Sequence, residues 1–108
     1  IKLLEKMKIK TYKISLDTSG NLDLKESLMK AKKLGFSRIF VEAGAELTSS
    51  FFNNKLIDDF KLFISNKKLG KNGNGNIKEY LGSLLKNKKK IVEKVNLSSD
   101  KLISYKIK

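Results

Sequence analysis

The sequence has 108 residues, contains no Cys and no His, and carries a formal net charge of +13 at pH 7. This composition excludes disulfides, thiolate zinc sites, imidazole general bases and Ser-His-Asp triads within the chain. No apolar run reaches the roughly 18 residues of a membrane span, and the first residues lack the apolar core of a signal peptide, so we expect a cytoplasmic protein without a membrane partner.

The basic charge is not typical of a nucleic-acid site. Arg38 is the only arginine among the 24 basic residues, and the run KNKKK at 86–90 has no interleaved aromatic residue. The lysines are scattered among many asparagines, which indicates a compositional bias rather than a binding groove. We therefore expect no nucleic-acid partner. A basic module that binds nucleic acid or anionic lipid remains the alternative.

Strand, helix and strand follow one another in the first part of the chain. Segment 9–16 alternates apolar and polar residues and ends at the turn-rich DTSGN, which predicts a strand. A capping box of Asp23 and Glu26 precedes apolar residues at helical spacing and predicts a helix over 24–34. The consecutive apolar residues of SRIFVE, 37–42, predict a strand buried on both faces. The order favours a right-handed βαβ unit with parallel strands.

The second part of the chain predicts one more helix and an antiparallel hairpin. The pattern indicates a helix over 45–54, a strand over 55–65 and a mobile Gly- and Asn-rich loop at 70–76. Alternation in 91–97 and 101–108 predicts the two strands of a C-terminal hairpin. The whole chain is then a single α/β domain whose sheet is mixed, parallel early and antiparallel late.

Glu42 closes a predicted parallel strand, and ligands of open α/β sheets bind beyond the carboxyl ends of such strands. The glycine at position 44 allows a ligand to approach the main chain, and the first amides of the following helix form an anion site with the helix dipole. Hydroxyl groups follow at once. A tight turn without a ligand and a solvated glutamate are the alternatives that the residues leave open. The candidate anion-binding residues are Gly44, Ala45, Glu46, Leu47, Thr48, Ser49 and Ser50.

A metal site is not predicted. Asp58 and Asp59 are adjacent acids, but neighbouring residues of a strand point to opposite faces of the sheet. We interpret them as the entrance to the strand.

The run from 38 to 70 contains a series of short motifs in a fixed order: Val41-Glu42-Ala43-Gly44, Leu47, Phe51-Phe52, Leu56-Ile57-Asp58-Asp59-Phe60 and Leu69-Gly70. In the order and spacing of these motifs it resembles the reductase domain of the riboflavin-biosynthesis bifunctional deaminase/reductase, whose fold is similar to that of dihydrofolate reductase. The resemblance extends over nearly the whole chain, although Asp59 replaces the usual Glu and Asn66 stands where proline is common.

The resemblance implies a dihydrofolate-reductase-like fold and an oligomeric, NADPH-dependent oxidoreductase. The implied reaction reduces 5-amino-6-(5-phosphoribosylamino)uracil to its ribitylamino product. Glu42 is then expected to contact this substrate, and the turn 44–50 to bind NADPH; no catalytic residue is assigned. Because the family domain is longer at its N-terminus, we expect the present sequence to be a C-terminal portion of that domain and to be inactive alone. Another reductase of the same fold and an oligomerisation module are the alternatives.

Overall fold

The computed structural model describes residues 1–65, 78–94 and 100–108. The chain divides into two compact units, Ile1–Val41 and Glu42–Lys108, and each is described by itself. No helix in these described ranges has the length and apolar character needed to cross a bilayer. The elements are α1 (Lys2–Lys6), α2 (Leu24–Lys33), α3 (Ala45–Asn53), β1 (Asp59–Ile64), α4 (Lys78–Leu85), β2 (Lys89–Lys94) and β3 (Lys101–Lys106).

Helix α2 of the first unit confirms the helix predicted over 24–34. The carboxylate of Asp23 accepts a hydrogen bond of 2.9 Å from the N–H of Glu26, so the N-cap half of the predicted capping box is present. The reciprocal bond is not formed, because the carboxylate of Glu26 accepts the N–H of Ser15 at 3.1 Å and the N–H of Asp23 donates to the carbonyl of Ser15 at 2.8 Å. Gly35 follows the last turn with φ of +99°, a left-handed conformation that glycine adopts without steric cost. Both ends of this helix are therefore encoded locally.

The structure corrects the two strands predicted in the first part of the chain. In 9–16, Leu16 forms an isolated bridge with Leu22, and 37–42 joins no ladder of the described residues. Phe40, predicted as buried, is 85% exposed. Alternation in a sequence indicates which face of a strand is apolar, but a strand also needs a neighbour to pair with its main chain. The parallel βαβ arrangement is accordingly not seen.

The second unit contains a three-stranded antiparallel sheet in the order β1-β3-β2. Its register pairs Phe60 and Lys90 with opposite sides of Tyr105. The pairing of β2 with β3 confirms the predicted C-terminal hairpin, whose connection at 95–99 lies outside the described residues. The antiparallel part of the predicted sheet is thus present.

Helix α3 confirms the helix predicted over 45–54, and it packs on the sheet together with α4. The rings of Phe52 and Phe60 lie edge to face with centroids 5.2 Å apart. Leu81 and Leu85 of α4 are buried against them. Helix α4 was not predicted from the sequence, although its leucines recur at helical spacing, and the loop predicted at 70–76 lies outside the described residues. One face of the sheet therefore carries the core of this unit.

Candidate functional site

The candidate site is the turn that leads into α3, within the second unit. Gly44 is the N-cap residue, with φ of −74° and ψ of −175°, and its carbonyl accepts the N–H of Thr48 at 3.0 Å. The N-cap position has no side chain that could accept hydrogen bonds from the first turn. Helix α3 therefore begins without a side-chain cap.

The backbone of Gly44 does not itself require glycine. Its φ and ψ describe extended backbone that any residue adopts, and a Cβ built on Gly44 would meet no atom of the described chain within 4 Å. Neither strain nor a protein neighbour explains the absence of a side chain. What the absent side chain does provide is open access to the amides behind it.

The amides of the first turn are available to a ligand. Among the described residues, no acceptor is recorded for the N–H groups of Gly44, Ala45, Glu46 and Leu47, as is typical of a helix start. Gly44 and Glu46 are exposed, and Leu47 is 43% exposed. Donors without a recorded acceptor at the positive end of a helix dipole suit an anion such as a phosphate group.

The hydroxyl groups that follow are oriented towards the main chain. Thr48 donates its Oγ1 proton to the carbonyl of Ala43 at 3.4 Å, and Ser50 donates its proton to the carbonyl of Glu46 at 3.1 Å. Ser49 is half-buried and takes part in an interaction within the protein. In this conformation the hydroxyls of Thr48 and Ser50 offer a ligand acceptor lone pairs, so the amides are the main donors of the turn.

Two exposed carboxylates flank the amides. Glu42 lies two residues before Gly44, and the described residues give its side chain no recorded hydrogen bond or ion pair. Its carboxylate is therefore open to donors such as ligand hydroxyl groups. Glu46, in the first turn of α3, favours the helix through the dipole but repels a bound anion. The prediction from sequence considered only the amide of Glu46. It missed the negative charge of the Glu46 side chain, which the sequence already places two residues after Gly44.

Asp58 and Asp59 face lysines in the structure. Asp59 pairs with Lys106 at 2.9 Å, and Asp58 with Lys108 at 3.6 Å. Both pairs are largely exposed and contribute little to stability. No group of three or more acidic, Cys or His residues suited to a metal ion occurs in the described part of the chain.

Comparison with known proteins yields a family match. A family model described as the RibD C-terminal domain matches residues 2–97 of the 108-residue chain. A search of curated proteins gives no match, and a search of solved structures gives none either.

Proposed function

The chain belongs to the RibD C-terminal domain family, the reductase domain of riboflavin biosynthesis, and on this premise we propose that the protein reduces 5-amino-6-(5-phosphoribosylamino)uracil to its ribitylamino product with NADPH. The observation that carries the proposal is the family match, which includes the entire candidate turn. The free amides at the start of α3 support it, because a dinucleotide presents phosphate groups to such a turn.

The residues of the turn fit the phosphates of the cofactor. The space in front of Gly44 is open where a Cβ would otherwise project, and the first-turn amides have no other acceptor among the residues described. We assign phosphate binding to the N–H groups of Gly44, Ala45, Glu46 and Leu47. Thr48, Ser49 and Ser50 support the turn through their contacts within the protein and complete the proposed cofactor site.

When bound, NADPH supplies the hydride that reduces the ribosyl C1′ of the substrate. Glu42 is the proposed substrate-binding residue: its exposed carboxylate accepts hydrogen bonds from ribose hydroxyl groups and thereby orients the sugar. The first-turn amides of α3, a few residues after Glu42, bind the phosphates of NADPH. The protein's contribution is thus positioning of two ligands on one short stretch of main chain.

The test is a reductase assay on the protein produced from its complete gene. We expect oxidation of NADPH only when the pyrimidine substrate is present, with a product heavier by two hydrogen atoms in mass spectrometry. Dihydrofolate serves as the control substrate. Turnover of dihydrofolate without turnover of the pyrimidine would assign the protein to another reductase activity, and inactivity towards both would refute an NADPH reductase acting on these substrates.

A further inference from the structure

A second candidate site lies in the first unit, and none of its residues is among those assigned to the reaction. A groove of about 460 Å³ runs between the main chain at 13–14 and one side of α2. Four lysines line it: Lys13, Lys25, Lys30 and Lys33.

The positive charge of this groove is only partly offset by the protein. The ion pairs recorded for the described residues are those of Lys106 and Lys108 in the other unit, so none of the four groove lysines has a recorded ion pair. Two carboxylates also line the groove and keep their charge while they accept main-chain amides: Asp23 from Glu26 at 2.9 Å, and Glu26 from Ser15 at 3.1 Å. Four lysines against two carboxylates leave an excess of positive charge, which an anionic ligand complements.

Apolar groups lie beside these charges. Ile14 and Met29 line the same groove, and Met29 is 61% exposed. The ammonium group of Lys30 lies over the ring of Tyr12, 4.6 Å from its centroid, although Tyr12 does not itself line the groove. A free inorganic anion would leave the apolar side chains of Ile14 and Met29 uncovered, whereas an organic body would cover them.

We propose that the lysine groove binds a small organic phosphate with an apolar body. The lysines neutralise the phosphate as mobile point charges, and Ile14 and Met29 contact the body of the ligand. The site differs from the first-turn amides of α3 in its residues and in its chemistry, because 42–54 contains no lysine. The proposal uses no residue that is assigned to the proposed reductase reaction.

The binding test uses 1-naphthyl phosphate, followed by calorimetry, with inorganic phosphate as the comparison ligand that lacks the apolar body. We expect saturable binding that the double substitution Lys13→Gln/Lys33→Gln weakens by about tenfold, as expected for loss of two close charges. The matched control is Lys2→Gln/Lys6→Gln, which removes the same charge from exposed positions of α1. If both double substitutions weaken the binding of 1-naphthyl phosphate equally, the effect is due to net charge alone, and the proposal is overturned.

A labelling experiment locates the site among the many lysines of the chain. Pyridoxal 5′-phosphate carries a phosphate, a flat ring and an aldehyde that forms a reducible imine with a lysine. After borohydride reduction, peptide mapping is expected to find the label on the groove lysines, and 1-naphthyl phosphate is expected to suppress it. Uniform labelling, or binding of single-stranded RNA without binding of 1-naphthyl phosphate, would contradict a small-molecule groove.

Discussion

At Gly44, the side chain that would best stabilise the helix is one that would weaken anion binding. An Asp, Asn or Ser at an N-cap accepts hydrogen bonds from the first-turn amides and stabilises the helix. Glycine leaves those amides free, and here neither φ nor a neighbouring atom requires it. If the amides bind phosphate, a better cap must make a poorer site.

The substitution Gly44→Asp separates these two effects. We expect the free energy of unfolding to rise by roughly 0.5 kcal/mol, because the carboxylate caps α3 and interacts favourably with the dipole. NADPH affinity is expected to fall by at least about tenfold, because the same carboxylate occupies the amides and repels phosphate. Urea denaturation and a nicotinamide fluorescence titration measure the two quantities.

Gly82→Ala is the matched control. Gly82 lies within α4, is exposed, and has open space on the side where a Cβ would project, with no described atom within 4 Å of that position. Replacement by Ala is expected to stabilise the helix by about 0.5–1 kcal/mol without changing NADPH affinity. If Gly44→Asp binds NADPH with unchanged affinity, the turn is not part of the cofactor site.

Lys55 provides an independent test at the residue scale. It follows α3 with φ of +55°, and the N–H of Leu56 donates to the carbonyl of Phe51 at 3.0 Å to close the helix. A lysine in this left-handed conformation is strained, so Lys55→Gly is expected to raise the free energy of unfolding by about 1 kcal/mol. Lys86→Gly, at a position without positive φ, is expected to lower it. Denaturant curves that move in the same direction for both would contradict this interpretation.

At the scale of elements, α4 shares the core of the second unit with α3. Leu81 and Leu85 are 5% and 7% exposed and pack on Phe52 of α3. Without these helices the apolar side chains of the sheet would meet water. The helix that was not predicted from the sequence therefore contributes two of the four buried hydrophobic residues of the described chain.

Truncation of one of these leucines measures the contribution of α4. We expect Leu85→Ala to lower the free energy of unfolding by about 2–4 kcal/mol, because it removes buried methyl groups and leaves a cavity. Ile91→Ala is the control at a side chain that is 65% exposed, with an expected loss below about 1 kcal/mol. Similar losses for the two variants in chemical denaturation would place the core elsewhere.

The elements that could be predicted from the sequence are those whose signals are local. The N-cap residue Asp23 begins α2, and the bulky pair Phe51-Phe52 follows from the helical pattern of α3. The strand predicted at 37–42 is not present in the structure. A strand also depends on main-chain partners distant in sequence, which a local pattern does not specify. Helix α4 follows a Gly- and Asn-rich stretch. The turn residues of that stretch predicted a loop, and the helical spacing of the leucines in α4 was not used.

The candidate site was predictable to a similar extent. A glycine before a helix indicates free amides, and the structure places Gly44 at the N-cap. The directions of the Thr48 and Ser50 hydroxyls were not predictable, because each is determined by a nearby carbonyl whose position depends on the local helix geometry. The roles of Glu42 and of the amides in binding ligands stay predictions.

For the whole molecule, the family match over residues 2–97 assigns the chain to a reductase domain. In the proposed reaction, Glu42 binds the pyrimidine substrate and the amides from Gly44 to Leu47 bind NADPH. The proposed reaction requires that Glu42 contacts only the pyrimidine substrate and that the amides from Gly44 to Leu47 contact only the cofactor. These two requirements can be tested separately in one protein.

The most direct measurement compares Glu42→Gln with Gly44→Asp in the protein from its complete gene. We expect Glu42→Gln to lower kcat/KM for the pyrimidine by about tenfold or more, since a charged acceptor is replaced, while the Kd of NADPH is unchanged. Gly44→Asp is expected to raise the Kd of NADPH instead. A Glu42→Gln enzyme with wild-type kcat/KM, together with a Gly44→Asp enzyme of wild-type NADPH affinity, would contradict the account.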